Sequence, residues 1–294
     1  MLGSAPFEVN SQNGQVAGHR VVWHKTTVLT FERVAYAAAA RAGALIRARY
    51  REPHEVSFKS EVDLVTEVDR QAEALIVETI AAAFPEHGII AEESPARTSR
   101  DGHFWYVDPL DGTTNFAHGY PQFAVSIALG REDQMLLGLV HDPLREETFS
   151  ALRGSGARLN GAPIGVSAVT SFEQALLGTG FPYDRRRHAA FYLAFFQEAI
   201  CGTQGVRRAG SAALDLCYVA CGRLDAFWEW KLHPWDTAAG RLIVEEAGGH
   251  VTDFAGAPHR LDGDETAASN GHLHAPLLDM ITKVRARLGR AVPG

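Results

Sequence analysis

Cysteine is scarce. Cys201, Cys217 and Cys221 are the only three in a chain of 294 residues. An odd, low count excludes a disulfide framework and points to a reducing compartment. Cys217 and Cys221 stand one helical turn apart in Leu216-Cys217-Tyr218-Val219-Ala220-Cys221, which suits two small residues on a buried face better than a shared soft metal. Long hydrophobic runs are also missing: no stretch approaches the ~20 apolar residues that a membrane-crossing helix needs. The opening segment, MLGSAPFEVNSQNGQVAGHR, lacks the basic start and apolar core of a secretory signal, so residues 1–27 read as a polar tail and the protein as cytoplasmic. Positive charge is in deficit. With 28 Lys and Arg against 35 Asp and Glu, the net charge is −7. That balance argues against a nucleic-acid binder or an anionic membrane surface, but not against cations.

What is present is globular. Hydrophobic residues make up 46% and charged residues 21%, which excludes wholesale disorder. The length suits two domains of ~150 residues or one large one. Phe31, Val34, Ala35, Ala38, Ala42, Leu45 and Ile46 fall at helical spacing, and a second helix starts near Thr66 and stops at Pro85 and Gly88. Strands are expected at 89–91, 104–107, 123–129 and 135–141, and Asn160-Gly161 signals a tight turn. Residues 28–165 therefore read as an α+β half with a largely antiparallel sheet. Residues 166–290 alternate strands at 176–179, 225–229 and 251–254 with helices at 192–199, 211–220, 236–247 and 276–288, an α/β half. No repeat and no linker separates the halves, which are expected to pack as one unit.

One segment carries chemistry. The apolar strand Trp105-Tyr106-Val107 runs into Asp108-Pro109-Leu110-Asp111-Gly112-Thr113-Thr114-Asn115-Phe116. Pro109 pre-sets a turn that brings Asp111 back beside Asp108. Two close carboxylates repel unless a cation lies between them. Gly112 permits close backbone approach, and a helix opened by Thr113-Thr114 directs free N–H groups at an anion. Carboxylates for a hard cation beside amides for an anion are the parts of metal-assisted phosphoryl chemistry. An isolated Asp-Pro-x-Asp-Gly run is otherwise a plain turn. Three further segments supply matching acids: Ile89-Ile90-Ala91-Glu92-Glu93-Ser94, Asp63-Leu64-Val65-Thr66-Glu67-Val68-Asp69, and Trp228 through Asp236. Taken singly, these are a solvated loop, a capping box at Thr66 and Asp69, and an N-cap at Asp236.

In this order the segments DLVTEVD, IIAEES, WYVDPLDGTTNFAHGYPQFAVSIAL, AGSAALDLCYVACGRLDAFWE and HPWDTAAGRLIVEEAGG closely resemble the inositol monophosphatase family of magnesium-dependent, lithium-sensitive sugar phosphatases, in its bacterial branch. The resemblance spans residues 30–288. It implies a layered αβαβα sandwich, a homodimer, and about two to three Mg²⁺ per subunit. By this resemblance Glu92, Asp108 and the Leu110 carbonyl hold the first ion. Asp108, Asp111 and Asp236 hold the second, and a third leans on Glu92. Thr113, backed by Glu92 and Asp69, orients and deprotonates the attacking water. Phosphate rests on the amides of Gly112 and Thr113, and the substrate's hydroxyls meet Asp111, the Gly210-Ser211-Ala212 backbone, Glu229 and Asp236. The implied reaction is hydrolysis of myo-inositol monophosphate to inositol and phosphate. Relatives with this metal core take fructose 1,6-bisphosphate, histidinol phosphate or 3′-phosphoadenosine nucleotides, and a regulatory protein on a phosphatase scaffold is the other class. Lys59 matches a basic residue of the family's metal-binding loop. Trp230-Lys231 departs from the family's aliphatic residue and glycine, and is expected to reshape the substrate rim. Arg185-Arg186-Arg187-His188 is expected as a solvated loop, with contact to a second phosphate as its alternative, and His272-x-His274 as surface histidines. His233 is expected near the site.

Overall fold

The computed structural model describes residues 25–52, 56–58, 64–132 and 134–289. Lys59 and Asp63 lie outside these residues, as does the tail before residue 25. The chain opens with α1 (Lys25–Arg49), followed by the antiparallel pair β1 (Val56–Phe58) and β2 (Leu64–Thr66), and α2 (Glu67–Ala83). The stripe expected on the first helix is the buried one: Phe31, Ala35, Ala38, Ala42 and Ile46 are each at most 4% exposed.

A seven-stranded sheet follows. Its spatial order is β3 (Gly88–Ala91), β4 (His103–Asp111), β5 (Ala124–Arg131), β6 (Gln134–Asp142), β7 (Glu147–Leu152), β8 (Ala157–Leu159) and β9 (Ala162–Pro163). Between β4 and β5 lies the short α3 (Thr113–Ala117). Only β3 and β4 are parallel; the other pairs are antiparallel. Asn160 and Gly161 take φ of 49° and 81° in the β8–β9 turn, the left-handed pair that this dipeptide favours.

The second sheet has five strands, in the order β11 (Gly205–Arg207), β10 (Leu176–Thr179), β12 (Ala226–Trp230), β14 (Glu265–Ser269) and β13 (His250–Thr252). It is mixed rather than purely parallel, because β14 inserts antiparallel between β12 and β13. The helices of this half are α4 (Arg185–Gly202), α5 (Ala212–Ala220), α6 (Pro234–Glu246) and α7 (His274–Leu288).

The layers follow from period-2 side-chain alternation. In β5, Val125, Ile127 and Leu129 face α1 and α2, while Ala124 and Ala128 face α5 and α6. Small residues on that side let the helices approach closely: a Cβ on Gly138 of β6 would lie 2.6 Å from the Ala239 carbonyl of α6. Helices α5 and α6 touch both sheets, and α4 and α7 cover the outer face of the second. Helix pair, sheet, helix pair, sheet, helix pair is the layered αβαβα sandwich. In β12 the alternation turns Trp228 and Trp230 outward into the α4–α7 core, with Glu229 between them on the inner face. Each such buried ring contributes about 1.5–3 kcal/mol.

Candidate active site

Strand register brings the first acids together. Parallel strands end on the same side, and Ala91 of β3 pairs with Val107 of β4. The next residues, Glu92 and Asp108, therefore emerge side by side, with the Glu92 N–H donating to the Val107 carbonyl at 3.2 Å. Asp111 reaches the same edge by a bulge: the β4–β5 register shifts between Asp108 and Asp111. The expected turn at Pro109 is thus an irregularity within a strand that runs on to Asp111. The Leu110 N–H donates to Asp108 Oδ1 at 2.9 Å, locking the bulge.

Asp111 spans to the second half. Its Oδ2 accepts from the Ser211 hydroxyl at 2.6 Å and from the Ala213 N–H at 2.8 Å, at the start of α5. Asn115 of α3 adds a second clip, donating to the Gln122 carbonyl at 2.7 Å and the Ala209 carbonyl at 2.9 Å. Asp236 enters from α6, at the third helical position and not as the N-cap expected from sequence. His233 is the cap residue, and its N–H donates to Asp236 Oδ2 at 2.7 Å. Behind β4, Asp69 of α2 accepts from the Thr113 hydroxyl at 2.9 Å, and from the N–H and hydroxyl of Thr66 at 2.8 and 2.5 Å. The capping box legible at Thr66 is real, and its acid also points one oxygen at the site.

These residues line one cleft. Glu92, Asp108, Leu110, Asp111, Gly112, Thr113, Gly210, Ser211, Ala212, Glu229 and Asp236 all border it. Asp69 stands behind Thr113, fully buried. Gly112, at φ 99°, turns the chain from β4 into α3, and a Cβ there would lie 2.8 Å from the Gln122 carbonyl. Phe116 closes the first turn of α3 onto the Gly112 carbonyl, so the N–H groups ahead of it are outside the helical ladder and available to an anion.

The electrostatics are strained. Burial, then the like charges of Glu92, Asp111 and Asp236, push the Asp108 carboxyl well above the usual carboxylate range. Burial and the charges of Asp111, Glu92 and Glu229 do the same to Asp236. Asp111 is pushed up to about 6 by burial and Glu92, against the hydrogen bonds from Ser211 and Ala213. Glu229 rises to about 8, chiefly by burial, with Arg208 opposing. Asp69 is also raised, again by burial first. Converging carboxylates with a backbone carbonyl are an all-oxygen donor set, and their mutual repulsion is what a hard divalent cation relieves. The chemistry of this donor set fits a hard divalent cation.

Several side chains stand elsewhere than expected. Trp230 and Lys231 both border the cleft as expected, but the Trp230 ring packs against Phe191, Tyr192, Phe195 and Phe254, so its bulk lies in the core behind it. Lys231, at φ 58°, pairs with Asp184 at 2.9 Å. Arg185, Arg186 and Arg187 form the first turn of α4, not a loop, and His274 is buried between Thr252 and Ser269. His233 lines the cleft, its ring stacked on Trp235 at 4.8 Å. Asn115, Arg208 and Asp215 are cleft residues that the motifs left unassigned, and Arg185, the first of the arginine run, borders the cleft with them. Asn115 and Asp215 lay inside the recognised runs; Arg185 and Arg208 depend on which strand ends meet.

A second group of metal-type side chains lies at the far end of β4. His87, Asp101 and His103 have nitrogen and oxygen atoms within 4.8 Å of one another. The Trp105 indole, a donor only, gives its N–H to His87 Nδ1 at 2.9 Å. Neutral His87 therefore carries its proton on Nε2, which faces Asp101 at 3.3 Å as a donor. That nitrogen has no lone pair for an ion, and the group is a hydrogen-bonded support.

The comparisons with known proteins agree with this architecture. The profile of the inositol monophosphatase family matches residues 28–286. An inositol-1-monophosphatase of Synechocystis sp. is 44% identical over 263 residues, 89% of this chain and 92% of that protein. A Nus factor SuhB of Pseudomonas aeruginosa is 46% identical over 255 residues, 84% and 94% of the two chains. The solved inositol monophosphatase of Anabaena (Nostoc) sp. superposes with a TM-score of 0.80 at 41% identity, covering 87% of this chain and 97% of its own. The chain belongs to the inositol monophosphatase family. Among the described residues, no helix is long and apolar enough to cross a membrane.

Proposed function

We propose that this protein is a cytoplasmic Mg²⁺-dependent phosphomonoesterase that hydrolyses myo-inositol monophosphate to inositol and phosphate, as a homodimer. The observation that carries the reading is the convergence of Glu92, Asp108, Asp111 and Asp236 with the Leu110 carbonyl, beside a Thr113 hydroxyl already bonded to Asp69. Glu92, Asp108 and Leu110 would hold one ion and Asp108, Asp111 and Asp236 a second, with a third leaning on Glu92. Divalent cations bound there supply Lewis-acid stabilisation of the phosphoryl oxygens and acidify water.

The chain's own residues do the positioning. The Thr113 proton is engaged by Asp69, so the Thr113 oxygen accepts a hydrogen bond from the attacking water; as the water's proton passes to the Thr113 oxygen, the Thr113 proton passes to Asp69. Asp69, raised in pKa by burial, is suited to share that proton, with Glu92 alongside. The amides of Gly112 and Thr113 cradle the phosphate. The Gly210–Ala212 backbone, Asp111 and Glu229 meet the substrate's hydroxyls. A water beside Asp236 protonates the departing oxygen.

A second reading is favoured by two arginines. Arg185 and Arg208 border the cleft without an ion pair among the described residues, and burial, then the like charge of Arg208, depresses the Arg185 pKa. The acid beside them, Asp184, is engaged by Lys231 and the Tyr192 hydroxyl. Cations in a helix's first turn oppose its dipole, so α4 gains nothing from Arg185 there. Arg208 also faces the buried acids Glu229 and Asp215, so Arg185 is the cation left to meet a second anionic group of the substrate, as in a sugar bisphosphate. Phosphate release from myo-inositol 1-phosphate and from fructose 1,6-bisphosphate, at one Mg²⁺ concentration, tests both. The first reading expects the monophosphate to have the higher kcat/KM. The second expects the bisphosphate to lead, and its advantage to fall about tenfold in Arg185→Gln. Release from neither would contradict both. It would favour a binding role on this scaffold, the class that the Nus factor name of the Pseudomonas relative supports.

A further inference from the structure

Helix α2 carries a second buried acid that the proposed chemistry does not use. Glu73 is 4% exposed and lies one turn after Asp69, on the same face. Its Oε2 accepts the N–H of Glu93 at 2.7 Å. That N–H shares a rigid peptide plane with the carbonyl of Glu92. Fixing the plane fixes the ψ angle of Glu92, the residue whose carboxylate enters the cleft. On its other side Glu92 is tied to β4 by the bond from its N–H to the Val107 carbonyl at 3.2 Å. The backbone of Glu92 is therefore clamped at both peptides, once by the sheet and once by α2.

We infer that Glu73 is a positioning residue that sets the approach of the Glu92 carboxylate to the cation. The inference rests on the metal-dependent reading above. Asp69 aims Thr113 and Glu73 aims Glu92, so two acids four residues apart on one helix space the water-orienting hydroxyl against the metal ligand. A buried carboxylate spent on a single backbone N–H is expensive unless that N–H must be held. A solvated loop, the plain reading of Glu92-Glu93, would need no such anchor.

The test is Mn²⁺ binding to the full chain by isothermal titration calorimetry, in the native protein, Glu73→Gln and Glu73→Ala. Groups that orient a ligand typically carry ~10–100-fold in metal affinity. Glu73→Ala is expected to bind Mn²⁺ at least about tenfold more weakly. Glu73→Gln keeps an oxygen acceptor in the same place and is expected to stay within about threefold of native. Glu73→Met, similar in volume but without an acceptor, takes the place of Ala should Ala not fold. The Mg²⁺ concentration giving half-maximal phosphate release should rise in the same order. Native Mn²⁺ affinity in the Ala or Met variant would overturn the inference. So would a folded Gln variant as weak as Ala. A native protein that binds no Mn²⁺ would overturn the metal-dependent reading itself, and the native titration alone reveals it.

Discussion

The Thr113 hydroxyl donates to Asp69 Oδ1 at 2.9 Å, while the other Asp69 oxygen is held by the N–H and hydroxyl of Thr66. The carboxylate that orients Thr113 is thus locked by the start of its own helix. Thr113→Ala should lower kcat by about 100-fold or more with little change in KM, the range for a lost proton-transfer group. Thr113→Ser keeps the hydroxyl and should stay within about tenfold of native. Steady-state kinetics at saturating Mg²⁺ read both. Equal loss in Ser and Ala would contradict the assignment.

Gly112 combines a left-handed backbone with a crowded Cβ position, 2.8 Å from the Gln122 carbonyl. Strain at such a position costs on the order of 1–3 kcal/mol. Gly112→Ala should lower the melting temperature by several degrees and also impair phosphate release, since α3 must shift. Thermal unfolding followed by circular dichroism checks the first effect. Gly161→Ala, also at positive φ but with open space around its Cβ, is the control that isolates the clash.

Stability should depend on pH through His87. Burial lowers its pKa from 6.5 to about 4, against the pull of Asp101. The unfolded chain then binds this proton first as pH falls. The contribution is whole above pH 6.5 and is lost as pH drops through about 4, on the order of 2 kcal/mol. His259, lowered to about 4 mainly by burial, acts in the same sense. Denaturant midpoints between pH 7 and 4 should fall, and fall less steeply in His87→Gln. An unchanged slope in that variant would refute the role of His87.

Much of the fold was legible because its signals are local. The stripe from Phe31 to Ile46, the strands around Trp105 and Ile127, and the turn at Asn160-Gly161 follow from side-chain period and turn chemistry. Strand β14 escaped notice, since Glu-Thr-Ala-Ala-Ser is short and small and gains its order only from β12 and β13. In the site, Asp108, Asp111 and Glu92 were readable as strand-end acids. Trp230 borders the cleft, yet its ring points away from it: the alternation that turns Glu229 inward turns both flanking tryptophans out, and phase is fixed by the sheet's neighbours. Arg208 and Glu73 act on residues distant in sequence, and no local pattern marks that.

The most direct measurement compares phosphate release from myo-inositol 1-phosphate by the native protein and by Asp108→Asn, each in Mg²⁺ and in EDTA. Asp108 is 2% exposed and repelled by Glu92, Asp111 and Asp236. Removing its charge should therefore raise the melting temperature in EDTA while abolishing catalysis, the trade expected where function maintains like charges in contact. Mg²⁺-dependent release is expected from the native protein alone, with the folded variant at least about 1000-fold slower. Native-rate release from Asp108→Asn, or from the native protein in EDTA, would contradict it.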